Sequence, residues 1–160
     1  MNTRLIIVIL FAVFMANITT GCATSGSFAE AFGKEKTISI NKGGNVKTFQ
    51  YAADEVLENN WKVKIDGPCY SACAVFADKA RPNVCITDKA VFGFHLGTKT
   101  VDVYFKQSSG DIPLKFRRKV PPPASSDIWE WLDKRGGFPS EGFLIMQSNE
   151  ATAFWPVCKD

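Results

Sequence analysis

Gly67-Pro-Cys-Tyr-Ser-Ala-Cys-Ala-Val-Phe76, answered downstream by Ala90-Val-Phe-Gly-Phe-His95, decides how this chain is read. The alternating segment Trp61 to Ile65 runs into Gly67-Pro68, and Cys69-Tyr-Ser-Ala-Cys73 opens a helix-like run from Ser71 to Ala80. Arg81-Pro82-Asn83 ends that run, and two short β-branched or aromatic segments, Val84 to Ile86 and Ala90 to Phe94, lead to the only histidine in the chain. This pattern predicts a strand, a tight turn, a helix and a further strand. Such a turn lifts a serine hydroxyl to the end of a sheet and the start of a helix, and aims the next amide, that of Ala72, at charge developing on a substrate oxygen. Ser71 is thereby a candidate nucleophile and His95 a candidate base. Each also has a plainer account, because serine is a favoured helix N-cap and a histidine at a strand end is often structural.

Upstream, Thr37-Ile-Ser-Ile-Asn41 alternates like a strand and Lys42-Gly43-Gly44-Asn45 interrupts it. Val46 to Asn60 then spaces Val46, Phe49, Ala53, Val56 and Leu57 as on one helix face. Strand, helix and strand in this order predict a parallel sheet with a right-handed crossover. Gly43 and Gly44 fall at the carboxyl end of the first strand, the edge on which α/β sheets build sites. Without side chains they bring backbone amides close to a ligand; otherwise they are simply a helix-entry turn.

Downstream, Val101 to Phe105 reads as a strand and Gly110-Asp111 as a turn. Lys115-Phe-Arg-Arg-Lys119, followed by Pro121-Pro-Pro123, reads as an exposed loop stiffened by proline, with contact to anionic lipid or nucleic acid as the lesser alternative. Ser126 or Asp127 is expected to cap a helix from Ile128 to Lys134, and Ser148 to Phe154 to form a last short helix.

Hydrophobic residues make up 46% of the 160, enough for one domain with a real core, and a net charge of +3 spread through both halves argues neither for nor against nucleic acid, which is not an expected partner. Residues Leu5 to Ala16 form an apolar run behind Arg4 that is too short for a membrane span of about 20 residues and has the length of a signal-peptide core. Ile18-Thr-Thr-Gly-Cys22 resembles a bacterial lipobox, which makes Cys22 a lipidation candidate; a simple secretory signal or an uncleaved anchor are the other accounts. The division that follows is residues 1–21 as signal peptide, 22–36 as lipidated N-terminus and tether, and 37–160 as a single domain. Export leaves Cys69, Cys73, Cys85 and Cys158 for two disulfides. The pairing Cys69–Cys73 with Cys85–Cys158 is favoured among three, and a zinc site from Cys69, Cys73, Cys85 and His95 is the minor alternative. No cofactor is expected.

In its ordered set of motifs the chain resembles the Clp protease catalytic subunit and the wider Clp/crotonase superfamily. Ile38-Ser-Ile-Asn-Lys-Gly-Gly44 is similar to that family's strand ending in a Gly-Gly oxyanion turn, and Cys69-Tyr-Ser-Ala-Cys73 to its nucleophile turn. Asn83 to His95 resembles the two short strands that end on its catalytic base, and Phe143 to Ala151 the segment that closes its domain. The resemblance implies an α/β fold of repeated strand-helix units with a mainly parallel sheet. It further implies Ser71 as nucleophile, His95 as general base, and an oxyanion hole at Gly43, Gly44 and Ala72. Where the family carries an orienting aspartate this chain has Phe143, so Glu141 is the expected substitute, with Asp127 and Asp133 more distant in sequence. The expected function is a cell-envelope serine hydrolase of the peptidase kind, anchored through an N-terminal lipid and acting on a peptide or small acyl substrate without an ATPase partner. A catalytically lapsed Clp-like lipoprotein that binds a peptide or an envelope protein is the alternative.

Overall fold

The computed structural model describes residues 26–105 and 112–159. The expected signal segment, Cys22 and the Gly110-Asp111 turn lie outside the described residues. In chain order the elements are α1 (Phe28–Phe32), β1 (Thr37–Ile38), α2 (Val46–Glu58), β2 (Val63–Ile65), β3 (Pro68–Tyr70), α3 (Ala72–Lys79), β4 (Val84–Ile86) and β5 (Val91–Phe94). They continue with β6 (Gly97–Phe105), β7 (Ile112–Val120), α4 (Ser126–Asp133), β8 (Leu144–Gln147) and α5 (Ser148–Ala151).

Three chain segments, each bent once, and a fourth strand, β8, build two small sheets. Before the bend they supply β1, β2 and β4, which pair in that order and wholly in parallel. After it, Asn41 bridges Cys69 in parallel, β3 pairs in parallel with β5, and β8 closes the far edge of β5 in the antiparallel sense. The corner depends on Gly67. A Cβ there would lie 1.9 Å from the Ser39 carbonyl oxygen, so any other residue would force the two segments apart. Ladder bonds straddle the bend, from Asp66 N–H to Ile38 C=O (2.9 Å) and from Asn41 N–H to Pro68 C=O (2.7 Å), and carry the pairing across it.

The fold is therefore mixed α/β, with a parallel sheet of three strands. In place of one mainly parallel sheet, the corners divide the ladder into two short ones, and β6 and β7 form a separate antiparallel hairpin. Ile38, Val63, Ile65, Val84 and Ile86, the apolar positions of the first sheet, are all buried. Helix α2 starts on Asn45, whose side chain accepts from Lys47 N–H, and buries Phe49, Ala52, Ala53 and Val56. Those alanines let it approach α3, in which Ala72 through Ala77 are all buried.

Both favoured disulfides are present, Cys69–Cys73 and Cys85–Cys158. The second fastens the C-terminal tail to β4, where Cys158 N–H also bonds to Ile86 C=O at 2.9 Å. Just before it, Trp155 stacks on Phe92 at 4.3 Å and donates its indole N–H to Ala77 C=O at 2.9 Å. A fully buried indole is thus satisfied by a carbonyl near the end of α3.

Three expectations change. Part of the 22–36 tether is structured: α1 is capped by Ser27, and Phe28 is buried against Trp61 and Phe76. The run Lys115 to Lys119 is not a loop but the greater part of β7, paired residue for residue with β6. Here strand alternation, with Leu114, Phe116 and Val120 on one face, prevails over charge density. Finally, α4 begins at Ser126 rather than Ile128, and Ser125, ahead of both proposed caps, stands at the N-cap. Arg81 binds Asp78 and Asp127, and Ser125 donates its amide to Asp78 at 2.7 Å, which fixes α4 onto the end of α3.

Two disulfides suit an oxidising compartment outside the cytoplasm. Among the described residues no helix is long and apolar enough to cross a membrane. Because cross-link stabilisation grows with the loop enclosed, the two bridges should differ. Replacing Cys85 and Cys158 by alanine, which opens a separation of 73 residues, should cost about 4 kcal/mol, whereas the same change at Cys69 and Cys73, a separation of 4, should cost about 2 kcal/mol. Urea unfolding measures both, and the reverse order would show that the tail is not the principal tie.

Candidate active site

Ser71 stands between β3 and α3 with φ 58° and ψ −121°, and among the described non-glycine residues only Asn60 shares a positive φ. A side chain in that region costs on the order of 1–3 kcal/mol, so the surroundings must hold it there. Three features do. Ser71 N–H bonds to Gly93 C=O at 2.8 Å, the Cys69–Cys73 bridge spans the residue, and Gly43 packs directly onto it. A Cβ on Gly43 would lie 2.6 Å from Tyr70 O, 2.7 Å from Ser71 Cβ and 2.8 Å from Ala72 N. Gly43 itself has φ 83°, a conformation that favours glycine.

The hydroxyl of Ser71 does not cap α3, which removes the plainer account of this residue. Its Oγ lies 2.7 Å from Nε2 of His95. Burial, and then the positive charge of Lys119 on β7, hold the His95 imidazole below its ordinary pKa, opposed by a backbone hydrogen bond with Leu96. The ring is therefore neutral at neutral pH. In the tautomer with hydrogen on Nδ1, Nε2 accepts the Ser71 proton, the geometry that general-base activation requires.

No carboxylate is hydrogen-bonded to His95 among the described residues. Glu141 is exposed and makes no such bond, Asp133 is exposed, and Asp127 is engaged by Arg81 and Ser125, which hold it well below the usual carboxylate range. Phe143 occupies the flank of the imidazole instead, edge to face at 4.8 Å, and packs on Tyr70 at 5.2 Å. Gly93 makes room for that arrangement: a Cβ there would meet the Tyr70 ring at 2.6 Å and the Phe143 ring at 3.1 Å. His95 is thus positioned by packing rather than by a charge.

The expected oxyanion residues divide by role. Gly43 N–H is consumed by the Asn41 side chain at 2.8 Å, so this residue shapes the turn and donates nothing to a ligand. Gly44 N–H and Ala72 N–H bond to no acceptor among the described residues, and both lie beside Ser71. In front of them a groove of about 650 Å³ runs between Gly44–Lys47 on one wall and Gly97–Lys99 with Val120–Pro123 on the other. Behind Ser71 an apolar niche of about 10 Å³ lies among Ala74, Val75, Phe94, Ile128 and Phe138. That niche has room for no more than a water or a methyl group.

Cys69, Cys73, Cys85 and Cys158 are all spent in pairs, so the Cys₃His alternative has no thiolates, and no cluster of three metal-ligating side chains occurs among the described residues. Sequence reasoning missed Phe143 as the support of His95, Lys119 as its charged neighbour and the proline run as a groove wall. The alternation in Leu114 to Val120 was the available signal for the second of these, because it turns β7 back toward the base.

The lone histidine allows a direct check. Lys119→Glu removes a cation that disfavours the imidazolium, so the His95 pKa should move up, and the acidic limb of any His95-dependent activity should move to higher pH with it. NMR titration of the single imidazole reads this; an unchanged pKa would show that β7 does not act on the base.

Comparisons of the chain with protein-family models, with curated proteins and with solved structures found no match. The reading of the site rests on its geometry.

Proposed function

We propose that this chain is a serine hydrolase of the peptidase kind, Clp/crotonase-like in design, working in the cell envelope from an N-terminal lipid on Cys22. The observation that carries the reading is the 2.7 Å contact between Ser71 Oγ and His95 Nε2 at a strained turn followed by an undonated amide. In this mechanism Nε2 takes the hydroxyl proton as Oγ attacks the substrate carbonyl, and the amides of Ala72 and Gly44 receive the oxyanion. The imidazolium then returns the proton to the leaving amine, and water attacks the acyl-serine by the same route in reverse roles.

A Ser-His dyad without a carboxylate is slower than a triad by up to about 10⁴-fold, since nothing charged steadies the imidazolium. That feature favours one second reading, a lapsed Clp-like lipoprotein that binds a peptide or an envelope protein in the same groove. A fluorophosphonate probe with intact-mass detection separates the two. Wild-type protein should gain one adduct, Ser71→Ala and His95→Ala should gain none, and Glu141→Gln should label within about twofold of wild type because it touches neither residue. Folded wild-type protein that resists labelling would give the binding reading the field.

A further inference from the structure

The groove beside Ser71 is lined by cations and by no carboxylate. Lys47 stands on the α2 wall and Lys99 on the β6 wall, both exposed, and neither forms an ion pair among the described residues. Lys119 lies near enough for its charge to bear on His95. Arg118, directly across the hairpin from Lys99, extends the same sign outward. Asp78, which lines the adjoining niche, is already engaged by Arg81 and Ser125, and Asp54, which shares a shallow pocket with Lys47, is paired with Lys79. Some cations elsewhere on the surface are paired, as Lys79 is with Asp54, Lys134 with Glu130 and Arg135 with Glu150, and others such as Lys64 and Arg117 stand singly among the described residues; what distinguishes the groove is that its cations stand on both walls. Unpaired charge of one sign on facing walls raises the local concentration of an oppositely charged ligand and selects against like charge.

We infer that the groove receives an acidic peptide, with carboxylates on both sides of the bond presented to Ser71, one reached by Lys47 and the other by Lys99. A volume of about 650 Å³ suits a short extended peptide. No aromatic side chain lines the groove as a stacking platform, which argues against a single-stranded nucleic acid as its occupant. The inference rests on the groove being the substrate cleft of the hydrolase proposed above, yet binding requires no turnover and is measurable without it.

The test uses full-length Ser71→Ala protein and two fluorescent peptides of equal length with alanine at the centre, one flanked by glutamates and the other by lysines, followed by anisotropy. At low ionic strength the acidic peptide should bind about tenfold more tightly than the basic one, and the gap should narrow at about 0.15 M salt. Lys47→Glu and Lys99→Glu should each weaken the acidic peptide about threefold, and together should invert the preference, with unchanged circular dichroism confirming the fold. Equal binding of the two peptides, insensitivity to both reversals, or full displacement by an equimolar oligonucleotide of the same charge would each overturn the inference. Wild-type protein that takes the fluorophosphonate but shows no preference for the acidic peptide defeats this inference alone. Acidic-peptide capture by a protein that resists the probe defeats only the hydrolase.

Discussion

Gly43 has no side chain, and the backbone of the Ser71 turn fills the space where one would stand. That close approach joins the loop after β1 to the loop after β3, and much of the site follows from it. It keeps Ser71 in a conformation that a residue with a Cβ avoids, and it sets Gly43 directly against the Ala72 amide. The Asn41 side chain takes the Gly43 amide out of use, which leaves those of Gly44 and Ala72 without an acceptor among the described residues. Interlocked turns of this sort are rigid because every alternative conformation of one meets the backbone of the other.

His95 is supported in a different way. In many acyl-transfer sites a carboxylate fixes the imidazole; here an aromatic ring does, and the ring is itself lodged against Tyr70 over a glycine on the strand that carries the base. Packing fixes the angle of the imidazole without stabilising its cation. Lys119 pushes in the same direction, toward a ring that stays neutral. Burial and Lys119 together favour the neutral ring, and the backbone hydrogen bond with Leu96 works the other way without outweighing them.

How much of this could be read from residues alone depended on how local the cause was. The parallel strands and α2 were legible because apolar spacing fixes them within a few positions, and the disulfide partners because export leaves four cysteines with few sensible pairings. Ser71 and His95 were legible as candidates from the glycine-proline turn and the strand end. Less visible was whatever depends on a second element arriving from far along the chain. Phe143 reaches His95 only because β8 pairs with β5, and Lys119 only because β7 is a strand. Its charge run reads as a loop until the alternation of Leu114 and Phe116 is given priority. Residues 28–32 read as part of a tether after the small, polar Ala23 to Ser27, yet the burial of Phe28 makes α1 a piece of the core.

The bridge from Cys69 to Cys73 encloses a single reactive residue within its small ring. Reducing that ring removes one of the three restraints on Ser71 and leaves the other two, the bond to Gly93 and the wedge of Gly43, in place. The geometry of this serine is consequently coupled to the redox poise of its surroundings, and a thiol reductant acts directly on the backbone that carries it.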